Sequence, residues 1–290
     1  MGAYEPPVDQ LLRIEEDLRG TSKQWHDYLG MGIGLEHVPD LIRMAVDEEL
    51  NSAGPDSPEV WAPVHAWRAL GVLRAEQAIP TLVGILANQS REKFDEWVNS
   101  EIPTVLGMIG PAALPEVTAL LEREDASDYG RDDAARALFE IAKRHPEERS
   151  GVVATITRLL EQAENQDPGL NGFLVNYLLD LQAKESAEVI ERAYAGGFVD
   201  EFMCGKWYDV WQELELEGEP PPRPERPRRI EEFSIPKQPT AWNPPTPSKI
   251  QQSWKPADSR PPVDRKDRNK ARQKLEKKAK PKGKGGKRGG

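Results

Sequence analysis

"HAWRALGVLRAEQAIPTLVGIL", His65 to Leu86, reads as two short amphipathic helices joined by a tight turn. In the second, Ile79, Leu82, Val83 and Leu86 fall at i, i+3, i+4 and i+7, a single apolar stripe. The first carries its stripe on Val60, Val64, Trp67 and Leu70. Ser57 is placed to cap that helix and Pro58 to occupy its first position. Pro63 falls inside it and should bend it or delay its start. One such pair cannot bury both stripes, so another part of the chain must cover them.

The pattern returns three times. "IPTVLGMIGPAALPEVTALLERE" sets Leu106 in the place of Leu70 and Val117 in that of Leu82. "DDAARALFEIAKRHPEERSGVVATITRLLEQ" does the same with Leu138 and Ile156, and "NGFLVNYLLDLQAKESAEVIERAY" with Leu178 and Ile190. First-helix anchors are spaced 36, 32 and 40 residues apart and second-helix anchors 35, 39 and 34. Helix pairs recurring at this period are the mark of an α-solenoid, in which each pair buries its stripe on its neighbours. No strand-like alternation competes, so the expected class is all-α, with the second helices lining the concave side.

The flanks are helical as well. Val8, Leu11, Leu12 and Leu18 form a stripe that Gly20 can end. "HVPDLIRMAVDEEL" gives a helix through Leu41, Ile42, Ala45 and Leu50. "GFVDEFMCGKWYDVWQELEL" reads as a closing cap on Trp207, Val210, Trp211 and Leu214. Helical order should stop near Gly218, because 13 prolines follow between Pro220 and Pro262.

The repeated stretches resemble HEAT-type repeats, especially the short variety of phycobilin lyases. From "HVPDLIRMAVDEEL" through "PEVWAPVHAWRALG" the chain resembles a group of uncharacterised bacterial HEAT-like proteins. Some of that group carry a cysteine-rich zinc-binding tail, whereas this chain ends in Lys, Arg and Gly. The resemblance implies a scaffold and carries over neither a metal nor lyase chemistry. The organisation expected is an N-terminal helical segment or cap (1–56), a HEAT-like solenoid with its C-terminal cap (57–217), a disordered proline-rich linker (218–262) and a basic, disordered or transiently helical tail (263–290).

Charge divides along the same line. The chain carries −10, yet residues 255–290 hold 15 Lys and Arg against 4 Asp and Glu, a net +11 that leaves −21 for residues 1–254. The acidic body disfavours nucleic acid and anionic surfaces, and the tail attracts both. Candidate polyanion contacts are Arg265, Lys266, Arg268, Lys270, Arg272, Lys274, Lys277, Lys278, Lys280, Lys282, Lys284, Lys287 and Arg288. Trp242 and Trp254 stand out in a polar, proline-rich stretch as candidate anchors for a groove.

No residues point to chemistry. "GMGIG", Gly30 to Gly34, departs from the dinucleotide fingerprint by one position and follows no strand, so a flexible connection is expected. His26, His37, His65 and His145 lack i, i+4 spacing, although Glu36, His37, Asp40 and His65 could converge in a fold. Cys204 is the only cysteine and reads as a buried or incidental thiol. The carboxylates of "RIEEDLR", "VDEEL" and "LEREDASD" read as solvated helix faces and ends. The expected protein is therefore a non-enzymatic, cytoplasmic scaffold or adaptor for a protein partner, with no cofactor, metal, catalytic residue or membrane span. Two alternatives stand beside it: a ribosome- or RNA-associated protein anchored by the tail, and an enzyme of tetrapyrrole-lyase-like or repeat-hydrolase type.

The tail generates a prediction. Deleting Pro262–Gly290 should leave helicity and melting temperature unchanged, since those residues offer little apolar area. Binding to single-stranded RNA should fall, and in the full chain it should weaken with a log–log salt slope of roughly −4 if about six cations touch phosphates. Equal RNA binding by both proteins at low salt would exclude the tail as an anchor.

Overall fold

The computed structural model describes residues 4–15, 25–54 and 57–223. The chain divides into two units, Met1–Pro224 and Glu225–Gly290. The second unit, with Trp242, Trp254 and every candidate polyanion contact, lies outside the described residues. The described residues form helices and connections only.

Four helix pairs run through them. The first pair is α3 (Ala62–Val72) and α4 (Ile79–Ala87), preceded by α1 (Val38–Ala45) and α2 (Glu48–Asn51). The others are α5 (Glu96–Ile109) with α6 (Leu114–Leu121), α7 (Asp128–Arg144) with α8 (Arg149–Leu160), and α9 (Pro168–Asp180) with α10 (Ala187–Ala195). Two short helices, α11 (Glu201–Cys204) and α12 (Trp207–Glu213), close the series.

The two helices of a pair start by different means. The first helices α5, α7 and α9 begin at a side-chain cap: Asp95 accepts from the Trp97 amide (2.8 Å), Ser127 from Gly130 (3.1 Å) and Asp167 from Gly169 (2.8 Å). Each second helix instead follows a one-turn 3-10 segment, at Glu76–Ala78, Pro111–Ala113, Pro146–Glu148 and Lys184–Ser186, and has no side-chain cap. The 3-10 turn supplies the first amides with partners and sets the reversal between helices. The first pair departs from this scheme. Ser57 precedes a 3-10 turn, Pro58–Trp61, without a side-chain cap bond, and Pro63 delays the α-helix to Ala62.

All eight anchors, Leu70, Leu82, Leu106, Val117, Leu138, Ile156, Leu178 and Ile190, are 0 % exposed. First helices touch in sequence: α1 on α3, α3 on α5, α5 on α7, α7 on α9 and α9 on α11. Second helices add α4 on α6 and α8 on α10. At the α5–α7 seam a Cβ on Gly107 would lie 2.8 Å from Glu140 Cβ, so the absence of a side chain there sets the approach. α5 and α6 together are apolar enough to suggest a membrane span, but they are bent 113° apart. No single described helix is long and apolar enough to cross a membrane.

The flanks differ from their sequence reading in detail. Val8–Arg13 is a six-residue 3-10 helix burying Val8 and Leu11, while Leu18 and Gly20 lie outside the described residues. The helix expected across "HVPDLIRMAVDEEL" breaks after Ala45, because the Asp47 carboxylate caps a new helix by accepting from Glu49 and Leu50. The closing cap also breaks in two at Gly205, where φ is +80°. "GMGIG" is no loose connection: Ile33 is buried, Met31 packs on the core, and Gly32 takes φ +85° to turn between them.

One ion pair sits inside the α3–α5 seam. Arg68 and Glu101 are both buried, with Nη2 to Oε1 at 2.7 Å and Nε to Oε2 at 3.2 Å. The guanidinium lies 5.2 Å from the Trp25 ring and 6.0 Å from that of Trp97. Removing one member of a buried pair strands the other charge. Glu101→Ala should therefore cost about 3–5 kcal/mol in urea unfolding, and Arg68→Met with Glu101→Leu should recover much of it. A single variant within about 0.5 kcal/mol of the parent, the range of a featureless surface site, would contradict this reading.

Candidate functional site: a groove along the first helices

The register that buries Ala134, Ala137, Leu138 and Ile141 of α7 leaves a second stripe on Asp128, Asp132, Arg136 and Phe139. α9 does the same with Leu170, Phe173, Tyr177 and Asp180. These two stripes face a groove of about 870 Å³. The connection before α5 adds Arg91 and Phe94, α5 adds Asn99, and α11 adds Met203. Every helical lining residue comes from a first helix or from α11. The second helices, expected to line the concave side, contribute none to it.

The walls are aromatic. Phe139 stacks on Tyr177 with centroids 5.7 Å apart and planes at 26°, and Phe94 lies 5.5 Å from Tyr129. Lys143 Nζ sits 5.4 Å from the Phe139 centroid. Tyr129 remains 41 % exposed, a large apolar area that nothing in the described fold covers.

Behind the walls runs a polar line between α5, α7 and α9. The Tyr177 hydroxyl donates to Asp132 Oδ1 at 3.0 Å. Asn99 donates its side-chain amide to Asp133 Oδ1, and Arg136 Nη1 donates to the Asn99 carbonyl at 3.2 Å. Asp133 is 0 % exposed, and its Oδ2 has no hydrogen-bond partner among the described residues. Burial pushes the Asp132 carboxyl up to about 6, partly offset by the Tyr177 hydrogen bond and the Arg136 charge. Burial pushes Asp133 up to about 7, against the Asn99 hydrogen bond and with the Asp132 charge adding to it. Burial, with the Asp132 charge and hydrogen bond, keeps the Tyr177 phenol protonated and donating.

The residues singled out by their sequence lie elsewhere. His65 Nδ1 is 2.9 Å from the Tyr28 hydroxyl and its ring packs edge-on to His26. His37 Nδ1 accepts from the Gly34 amide at 2.9 Å and is 3.8 Å from Glu36. Among the described residues no group of three or more His, Cys, Asp and Glu is placed to hold a metal ion. Cys204 is half-buried at the end of α11 with Sγ 3.0 Å from the Tyr194 hydroxyl, and burial raises its thiol. Trp61 and Trp97 pack edge-to-face at 5.0 Å, and Trp67 Nε1 donates to the Ala45 carbonyl, so these three are core. The sequence reading did not single out Asp132 and Asp133. Asp133 lies one and two turns before Ala137 and Ile141 on the buried stripe, which was a visible signal.

The family described as "protein of unknown function (DUF1186)" matches residues 56–221, more than half of the chain and all four helix pairs. No curated protein and no solved structure matches.

Both aspartates titrate above the ordinary carboxylate range, so between about pH 4 and 7 the folded state holds more protons than the unfolded state. The contribution of these two groups to stability then falls as pH rises through that window and is greatest at its acid end. For Asp133 the effect is on the order of a few kcal/mol. Asp133→Asn should flatten the melting-temperature profile between pH 5 and 8 and melt above the parent at pH 8. A variant profile parallel to the parent's would refute the assignment.

Proposed function

The chain belongs to that family, whose description states no activity, and we propose that it is a non-enzymatic binding module whose first-helix groove takes a segment of a partner protein. The helix pairs stack as a HEAT-like solenoid, an architecture whose repeated faces generate extended binding surfaces. One observation carries the reading: a groove of about 870 Å³, walled by five aromatic rings, that crosses α7 and α9. Such a volume suits a few side chains, and rigid aromatics give contact area at small cost in rotamer freedom. Among the described residues the groove lining holds no His, Cys, Ser or Lys.

The second reading, an RNA- or ribosome-associated protein, rests on the +11 of residues 255–290. It and the groove are compatible in one adaptor, the groove selecting a protein and the tail adding electrostatic attraction.

A displayed library of random 12-residue peptides selected on the full chain tests the groove. Phe173→Glu puts a charge on the aromatic wall and should abolish binding of the enriched peptides with little change in melting temperature, Phe173 being only half-buried. Enriched peptides that bind the variant as tightly as the parent would refute the groove as the binding site.

A further inference from the structure

We propose, resting on that reading, that the partner segment carries a lysine or arginine whose cation lies against the Asp132 carboxylate beside the rings of Phe173 and Tyr177. Five carboxylates line the groove; with Glu140 paired to Arg144 and Asp128 near Arg131, three remain against the guanidiniums of Arg91 and Arg136, so its charge favours a cationic occupant. Four of the five have other employment or full hydration. Asp167 caps α9, Glu140 pairs with Arg144, Asp128 lies 4.0 Å from Arg131, and Asp180 is exposed.

Asp132 differs from them. It is half-buried, and its hydrogen-bond partner is the neutral hydroxyl of Tyr177. Arg136, one turn along α7, turns its guanidinium to the Asn99 carbonyl and forms no ion pair with it. Burial raises the Asp132 carboxyl to about 6, so at neutral pH the group is ionised at a cost that a cation would relieve. Tyr177, whose hydroxyl holds Asp132, and Phe173 in the same groove lining add the attraction of an aromatic face for a cation. The same wall already holds one such contact, Lys143 over Phe139.

Lysine rather than free metal fits the surroundings. A hard divalent ion wants several oxygen ligands, and the described residues contain no group of three or more His, Cys, Asp and Glu placed to hold one. A long side chain needs only one carboxylate for its head and apolar walls for its stem.

Two displayed libraries on the full chain separate the outcomes, one of all residue types and one lacking Lys and Arg. Phe173-dependent binders should come from the first library and carry a Lys or Arg flanked by apolar residues. Replacing that residue by Gln in the purified peptide should weaken binding at least tenfold on the parent protein. On Asp132→Asn the unmodified peptide should lose a similar factor, and the Gln replacement should then cost less than twofold. Glu191→Gln, at an exposed acid on α10, should leave affinity within twofold, which separates a local contact from attraction to the acidic body. Phe173-dependent binders of equal affinity from both libraries would overturn the cation and leave the groove reading standing. Failure of both libraries to yield Phe173-dependent binders would overturn both.

Discussion

No helix pair between residues 57 and 195 can cover its own apolar faces; the neighbouring pair has to do it. That single constraint governs the described fold. It explains why α3, α5, α7 and α9 touch in order, and why the eight anchor residues are sealed from water. It also explains why small residues collect where helices approach, as with Gly107 at the α5–α7 seam and Ala134, Ala135 and Ala137 on α7. Burial contributes roughly 25 cal/mol per Å² of apolar surface.

Polar groups follow the same spacing as the apolar ones. Glu101 stands 33 residues beyond Arg68, Asp133 34 beyond Asn99, and Gln166 35 beyond Arg131. Arg149 reaches Glu185 36 residues on. Each of these contacts joins near-equivalent positions of successive pairs. Tyr177 holding Asp132, 45 residues apart, also joins successive first helices and lines the groove. The proposed site thus belongs to the array and to no single helix, since α7 supplies its carboxylate and α9 the phenol that orients it.

The helix pairs were legible because their stripes repeat at i, i+3, i+4 and i+7 around anchors such as Leu106 and Ile156. The capped starts were not: Ser57, the cap read from the sequence, makes no side-chain cap bond, while Asp95, Ser127 and Asp167 cap helices without having been singled out. The groove was not legible either. Its aromatics on α9 lie in "PGLNGFLVNYLLD", a helix apolar nearly all round, where periodicity cannot tell a core ring from a groove ring. Nor can a sequence show that Arg68 meets Glu101, because the pairing depends on how closely two helices approach. The breaks at Val46 and Gly205 escaped for a related reason. Local cap chemistry at Asp47 and a left-handed glycine at Gly205 overrode an uninterrupted helical pattern.

If stability is carried between neighbouring pairs, damage to one pair should spread through its neighbours and fade with distance. Native-state hydrogen exchange on Leu178→Ala measures this directly, the lost methyl groups leaving a cavity in α9 beside α7 and α11. Exchange should accelerate most in α9 to α11, less in α7 and α8, and not at all in α1 and α3. Uniform acceleration from α1 to α12 would instead mark one cooperative core and contradict the stacked-pair account.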